Sequence, residues 1–550
     1  MTPYVEAAPE EFLEVPDRAA AARVTPWPHR LMPSLTDLAF LLPIGLVYGK
    51  LNGAKAMLGD ADTGWHVRTG EWILAHGRVP HTDIFSFTKP GQPWFAWEWL
   101  TDLAFGWLNL HWGMTGVVLL AVLALSMTSA LLYRLVERAC GNVLVAFGVT
   151  AVATMASSIH WLARPHLFTL LLTAVFLHIL ERTREGRTKL LLWLPPLMTL
   201  WTNLHGGFLV GLTLVGAYAL EPVIKAAIAR DRSARRAEFS SGVPYLATLA
   251  ASFAATFVNP YFYKLHVHIF QFLREPFHFL HISEFQSLSF QHPAARYFEI
   301  LLVLAACAAM WNVRRGQWHY ALLAASWMHP ALTSSRNIPI FALIAAAPIA
   351  QMVARWLEEV DAARMAARLR AVDRLPRWHA TAAAGFLALA VASWGPGASG
   401  KFRAEFDSQK FPVKALDYLG DKTGRIFAHD QWGAYLIYRL YPGTKVFVDD
   451  RSDFYGPAFE EAWLDVFNAK YNWSSYLDRY SIHTVLLPVD APLVGALKES
   501  HRWRPVYDDG MAIVFQAARP ADANSSRGEA HGETMSRSQD RASLDSRGRG

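Results

Sequence analysis

Residues 59–98 read GDADTGWHVRTGEWILAHGRVPHTDIFSFTKPGQPWFAWE, and this stretch decides how the chain is organised. It follows the first long apolar run. Its acids, His, Arg and Pro make it too polar to lie in lipid, and its aromatics make it too apolar for a featureless tether. It reads as the first external loop of a polytopic membrane protein. The rest of the chain either returns to the same side or anchors a piece that does.

Composition supports that reading. Of 550 residues, 53% are hydrophobic and only 18% charged, outside the usual range of a soluble domain. The net charge of +6 does not point to nucleic acid, because Lys and Arg are concentrated in short loops between apolar runs, where they fix membrane orientation. Cys140 and Cys307 lie at or inside apolar segments and read as packing residues rather than as a disulfide or metal ligands. The first thirty residues contain acids and prolines but no apolar core, so the first span is expected to serve as signal and anchor.

The fold class expected is mainly α, a polytopic helical membrane domain followed by a small extracytoplasmic α/β domain. About eleven spans are expected, at 35–57, 114–133, 143–162, 165–181, 189–204, 206–224, 243–259, 297–312, 317–332, 337–356 and 379–395. Trp99 to His111 is apolar on one face and reads as an amphipathic segment on the membrane surface. The domains are then a cytoplasmic segment 1–34, a membrane domain 35–398 with external loops 58–113 and 260–296, an external α/β domain 399–517 and a disordered tail 518–550. In the α/β domain, strands are expected at Arg425–Ala428, Lys445–Val448, Thr484–Leu487 and Ala512–Phe515, with helical stretches between them. Arg134, Arg138, Arg182, Arg184, Lys225, Arg235, Arg314 and Arg364 fall in alternate loops, which puts the N-terminus in the cytoplasm and the C-terminal domain outside.

With that alternation, the external ends collect Asp60, Asp62, His66, Arg68, Glu98, His160, Arg164, His166, Asn203, His205, Glu284, Arg336 and Asn337, the pattern of chemistry at one membrane face. Asp60 and Asp62 are close enough to share a metal ion, or for one to act as a base that the other orients; the bland alternative is a turn or helix cap. His160-x-x-x-Arg164-Pro165-His166 reads either as a His pair for a metal with an Arg for a phosphate, or as a Pro-nucleated helix start with interfacial side chains. Asn203-Leu204-His205-Gly206-Gly207 allows a tight turn near a ligand, or a simple hairpin. Ser334-Ser335-Arg336-Asn337 before Ile338-Pro339 reads as a phosphate site at a helix N-terminus or as an interfacial anchor. The loop 260–296, long and aromatic, is the best candidate for a lid.

The order of Asp-x-Asp, an amphipathic helix, the His76-Gly77-Arg78-Val79-Pro80 segment and an aromatic stretch ending in Glu98-Trp99-Leu100 resembles the first external loop of the C-type glycosyltransferase superfamily. This group includes protein O-mannosyltransferases, lipid A aminoarabinose transferases and the catalytic subunit of oligosaccharyltransferase, which use lipid-phosphate-linked sugars. The resemblance implies a catalytic base or metal ligand at Asp60, with Asp62 second. His429-Asp430-Gln431-Trp432-Gly433-Ala434-Tyr435 and Val448-Asp449-Asp450-Arg451 look like a degenerate form of the oligosaccharyltransferase Trp-Trp-Asp-Tyr-Gly signature and its downstream Asp-Asn. His281-Ile282-Ser283-Glu284 resembles that family's Ser/Thr-x-x-Glu element. These matches imply acceptor contacts at Asp430, Trp432 and Glu284, while the departures weigh against a peptide acceptor.

The expectation is therefore a membrane glycosyltransferase of the bacterial inner membrane that moves a sugar from a polyprenyl phosphate or diphosphate to an extracytoplasmic glycan, lipid or protein acceptor, with inversion. Asp60, Asp62 and Glu98 are the candidate catalytic residues. Arg336, Arg164, Arg68, Asn337 and His205 are candidates for the lipid phosphate, and Asp60, Asp62, His160 and His166 for a Mg or Mn ion. Partners are the donor, the acceptor and membrane lipids, with no nucleic acid. A transporter or flippase would place ionisable residues in the middle of spans and show repeated halves; a scaffold for envelope polymer assembly would use the same surfaces without chemistry.

Overall fold

Apolar runs between Pro, Gly and charge clusters become helices almost everywhere, because in lipid only a helix or a closed barrel satisfies the backbone internally. The computed structural model describes residues 27–358, 362–395, 397–419 and 424–518. Residues 519–550 of the tail expected to be disordered and most of the segment 1–34 lie outside the described residues.

Among the described residues, seven helical stretches are long and apolar enough to cross a membrane: Trp27–Lys50, Trp99–Cys140, Val143–His160, His166–Arg184, Gly206–Ile228, Ala295–Arg314 and Ser335–Leu357. The chain thus has the character of a multi-pass membrane protein. The remaining expected spans are helical but shorter or more polar, namely Leu194–Leu204, Arg232–Ala255, Trp318–Thr333 and Ala380–Trp394.

Helix α1 (Leu35–Gly45) starts at a capping box in which Ser34 and Asp37 satisfy each other's backbone donors, and it runs on as one π turn to Lys50. The quoted stretch then forms α2 (Asp62–His76), closed by Gly77 in the left-handed conformation. Helix α3 (Trp99–Cys140) is bent at Gly113, whose φ of 62° breaks it into a shorter N-terminal and a longer C-terminal segment. Trp99–His111 is helical, with buried residues such as Phe105 and exposed ones such as Trp107 and Leu110. Helices α2 and α3 cross at Gly70 and Gly106; a Cβ on Gly106 would lie 2.4 Å from the Gly70 carbonyl carbon, so only glycine permits this approach. Helix α4 (Ala380–Trp394) packs on α1 at the C-terminal end of the helical part.

The C-terminal domain is a four-stranded sheet, β1 (Ile426–Ala428), β2 (Thr484–Pro488), β3 (Trp503–Asp508) and β4 (Ala512–Ala517), in the order β1-β2-β4-β3. β1 and β2 are parallel and the other pairs antiparallel. One expected strand is corrected. Lys445–Val448 joins no sheet strand; Val446 instead pairs with Ser86 of the first loop, so its apolar alternation serves the contact between domains. The true fourth strand is the edge strand β3, whose Pro505 sits beside a register shift, as proline in a sheet requires.

The two parts share one core. Helix α5 (Asp430–Leu440) packs on α2, and Arg68 Nε donates to the Tyr438 carbonyl at 2.8 Å. Arg451, fully buried, donates to Asp449 at 2.6 and 2.7 Å and to Asp83 of the first loop at 2.9 Å, and lies 4.5 Å above the Trp94 ring. The loop 260–296 is tied down as well. It contains a helix, Tyr263–Arg274, and His268 Nε2 meets Asp453 at 3.0 Å.

Candidate functional site

Asp60 precedes α2, and its Oδ1 accepts from the Asp62 N–H at 3.1 Å, so the Asp-x-Asp pair is a turn that opens a helix and also a pair of adjacent carboxylates. A third acid joins them from the C-terminal domain. One oxygen each from Asp60, Asp62 and Asp450 lie within 4.8 Å of one another, and the Trp65 indole donates to Asp450 Oδ1 at 3.0 Å. The backbone of Asp450 is fixed by its neighbours Asp449 and Arg451, which form the buried network to Asp83.

Arg164 faces this cluster from the turn between two spans. That turn is stapled to the first loop: the Ala163 N–H donates to the Met57 carbonyl at 2.7 Å, and Thr63 Oγ1 donates to the Ala163 carbonyl at 3.0 Å. The guanidinium contacts Asp62 at 2.5 Å, Asp60 at 3.2 Å and Glu284 at 3.0 Å. Glu284 in turn holds Arg336 at 3.3 Å and lies 3.5 Å from His160 Nε2. The hydroxyls of Ser334 and Ser335 donate to the Glu284 carbonyl at 2.9 and 3.1 Å, and the Arg336 guanidinium stacks 4.5 Å above the Phe285 ring. Four carboxylates and two guanidiniums thus form one layer, with Asp62 buried and the others partly exposed.

The electrostatics follow from an excess of negative charge. Burial, with Asp62 adding repulsion, pushes the Asp60 carboxyl up to about 6 against the pull of Arg164. Burial and the neighbouring acids raise Asp450 well above the usual carboxylate range. Burial would raise Glu284 too, but Arg164 and Arg336 outweigh it and hold that carboxyl well below the usual range.

A second arm runs from Glu98. His66 Nδ1 lies 2.6 Å from Asp102 Oδ1, His66 Nε2 lies 3.5 Å from Glu98 Oε2, and His205 Nε2 lies 3.3 Å from Glu98 Oε1. His205 Nδ1 accepts from the Gly207 N–H at 2.9 Å and so carries no proton, which makes the Thr169 hydroxyl, 2.8 Å away, a donor to it while the same oxygen accepts from Trp201. The single proton of a neutral His205 therefore sits on Nε2, facing Glu98. Burial, with Arg336 and Arg164, pushes His205 down to about 3. Burial pushes Glu98 up to about 8, so at neutral pH it is largely a protonated acid. Beside this arm, Trp99, Leu100, Pro196, Leu200, Asn203 and Pro260 line an open groove of about 590 Å³.

The sequence candidates thus divide. Asp60, Asp62, Glu98, Arg164, Arg336, His205, His160 and Glu284 are brought together. Arg68 is used between α2 and the C-terminal domain, and Asn337 Nδ2 donates to the Pro330 carbonyl at 3.1 Å. His166 Nε2 is committed to the His160 carbonyl at 3.0 Å. Asp430 meets His429 at 2.7 Å, and buried Trp432 donates to the Lys410 carbonyl, whose ammonium reaches the Gly59 carbonyl. The third acid beside Asp60 and Asp62 is Asp450 rather than a histidine. Its signal in the sequence is the Asp449-Asp450 pair before Arg451, and that of Asp102 is only its place one turn after Glu98. No protein-family model matches the chain, and no curated protein matches it in sequence.

Proposed function

We propose that this protein is an inverting membrane glycosyltransferase that takes a sugar from a polyprenyl phosphate or diphosphate and attaches it to an extracytoplasmic acceptor hydroxyl. The observation that carries the reading is the convergence of Asp60, Asp62, Asp450 and Glu284 with Arg164 and Arg336 at one end of the helices, from elements far apart in sequence. A transporter needs no such layer at the helix ends. The positive charge in alternate loops favours about eleven spans in a bacterial inner membrane, with a cytoplasmic N-terminus and an extracytoplasmic, periplasmic C-terminal domain.

In this reading Asp60, whose carboxyl lies near 6 and is mostly ionised at neutral pH, takes the proton from the acceptor hydroxyl. The hydroxyl oxygen then bonds to the anomeric carbon as the bond from that carbon to the phosphate oxygen breaks, so the configuration inverts. Arg336, held by a single carboxylate, receives the departing phosphate, while Arg164 keeps Asp60 and Asp62 in place. The apolar groove beside Trp99 and Pro260 suits the start of a polyprenyl tail. The oxygen donors of Asp60, Asp62 and Asp450 fit a hard divalent cation such as Mg or Mn, and Asp450 Oδ2, buried without a hydrogen-bond partner, points to the same use. Such an ion would supply charge neutralisation for the leaving phosphate. Mass spectrometry of surface glycans and lipids tests the reading: a deletion strain should lack one sugar substituent, and identical glycans in deletion and wild-type strains would refute it.

A further inference from the structure

At the end of the helices away from the carboxylate layer, α1, α3 and α4 diverge and leave a groove of about 620 Å³. Its walls are almost wholly apolar, from Phe40, Leu123, Met127, Ala130, Phe386 and Ala390. Its polar end carries Arg134, Trp378 and His379, with Asp37 beneath them. Asp37 is already used: Oδ2 accepts from the Ser34 N–H at 2.8 Å and the Ser34 hydroxyl at 2.7 Å, and Oδ1 meets His379 Nδ1 at 3.0 Å. Asp373, nearby, accepts from the Leu35 N–H at 2.8 Å and the Tyr133 hydroxyl at 2.9 Å. Among the described residues Arg134 forms no ion pair, so a half-buried guanidinium sits at the mouth of an apolar groove without a counter-ion, whereas Arg138, one turn on, meets Glu185 at 3.0 Å.

The size of the groove selects its occupant. From Arg134 to Leu123 along α3 is about 17 Å at 1.5 Å per residue. That is close to half of a hydrocarbon core of about 30 Å, the depth of one leaflet and too short for a partner's transmembrane helix. The outward residues Met127 and Leu387, 42% and 64% exposed, leave the groove open sideways, as a lipid needs for entry. Trp378, at the level of Arg134, is where an aromatic side chain marks the headgroup zone.

We propose that this groove binds one anionic phospholipid, with an acyl chain along Phe40, Met127, Ala383 and Phe386 and its phosphate on Arg134. An apolar groove, open to the side and ending in an Arg that forms no ion pair among the described residues, is complementary to that ligand in shape, depth and charge. The inference needs only that the helices lie in lipid and is independent of the sugar-transfer reading.

The test is native mass spectrometry of the full chain, purified in detergent and equilibrated with equal amounts of phosphatidylglycerol and phosphatidylcholine of identical acyl chains. The wild type should retain one phosphatidylglycerol at least tenfold over phosphatidylcholine. Arg134→Gln should bring that ratio close to one, and Ala383→Trp, which fills the groove from an exposed position, should lower occupancy by both lipids severalfold. Arg138→Gln, outside the groove, should behave as wild type. Unchanged selectivity in Arg134→Gln, unchanged occupancy in Ala383→Trp, or a second copy of the chain occupying the face would each overturn the proposal. If Arg134→Gln fails to yield a monodisperse protein, the Ala383→Trp result decides.

Discussion

Replacing Arg451 by Met should loosen the C-terminal domain from the first loop and take Asp450 away from Asp60 and Asp62. The guanidinium makes two bonds to Asp449 and one to Asp83, and both acids are buried. Each acid also has other partners, Tyr455 on Asp449 and Ser86 on Asp83, but these are neutral and leave two uncompensated charges once the cation is gone. Breaking a buried ion network in this way costs about 4 kcal/mol. Such a loss weakens the docked state by roughly a thousandfold, and it should lower the unfolding transition of a domain of this size by roughly 10 °C or more. The assay is thermal unfolding in detergent followed by Trp fluorescence, with limited proteolysis as the report on docking. The triple variant Arg451→Met, Asp83→Asn, Asp449→Asn should recover much of the loss, because no unpaired charge is left. A single variant within about 1 kcal/mol of wild type, the scale of a surface pair, would refute the reasoning, as would a triple variant no better than the single one.

Glu98→Gln tests the second arm. The carboxyl of Glu98 is raised to about 8 in the folded protein, so its stabilising proton is fully present below the ordinary carboxylate range and is lost as pH rises through about 8. The variant should therefore match wild type in unfolding temperature at pH 5 and exceed it at pH 8.5, and equal differences at both pH values would contradict the assignment. Manganese affinity, measured by calorimetry, should fall at least about tenfold from pH 7.5 to pH 5, because Asp60, near 6, and Asp450, also raised, must give up their protons to bind, and Asp450→Asn should weaken binding at pH 7.5. A pH-independent affinity would exclude that site. Gly106→Ala should cost about 3 kcal/mol by forcing α2 from α3, and an unfolding temperature equal to wild type would show that the crossing yields freely.

What was legible in the sequence is what spacing and local charge carry. Asp60 and Asp62 are two residues apart and open a helix, so their pairing needs no tertiary information. Arg164, Glu284 and Arg336 stood out as ions at the ends of apolar runs, where solvation alone gives no reason for them. Asp450 was visible only within the Val448–Arg451 stretch and not as a neighbour of Asp60 and Asp62, because it meets the loop across 385 positions of sequence, through Trp65. Its cue, two adjacent acids before an Arg, is equally the composition of a solvated turn. Lys445–Val448 read as a strand for the right reason, since its alternation does mark a buried extended segment, but the partner is Ser86 rather than the sheet. β3 escaped because an edge strand carrying Pro and exposed Arg504 lacks the buried pattern that β1, β2 and β4 show. The helix assignments agree with the apolar runs because lipid leaves little choice, whereas the turns that position Arg164 and Glu284 depend on side-chain staples from Thr63, Ser334 and Ser335 that no periodicity announces.

Whether Asp60 acts on a sugar acceptor is tested most directly by mass spectrometry of surface glycans from a deletion strain complemented with wild type, Asp60→Asn or Asp450→Asn at matched protein levels. Wild type should restore the missing substituent, Asp60→Asn none above the deletion background, and Asp450→Asn less than wild type; these are the results expected if Asp60 is the base. Full restoration by Asp60→Asn would contradict that role.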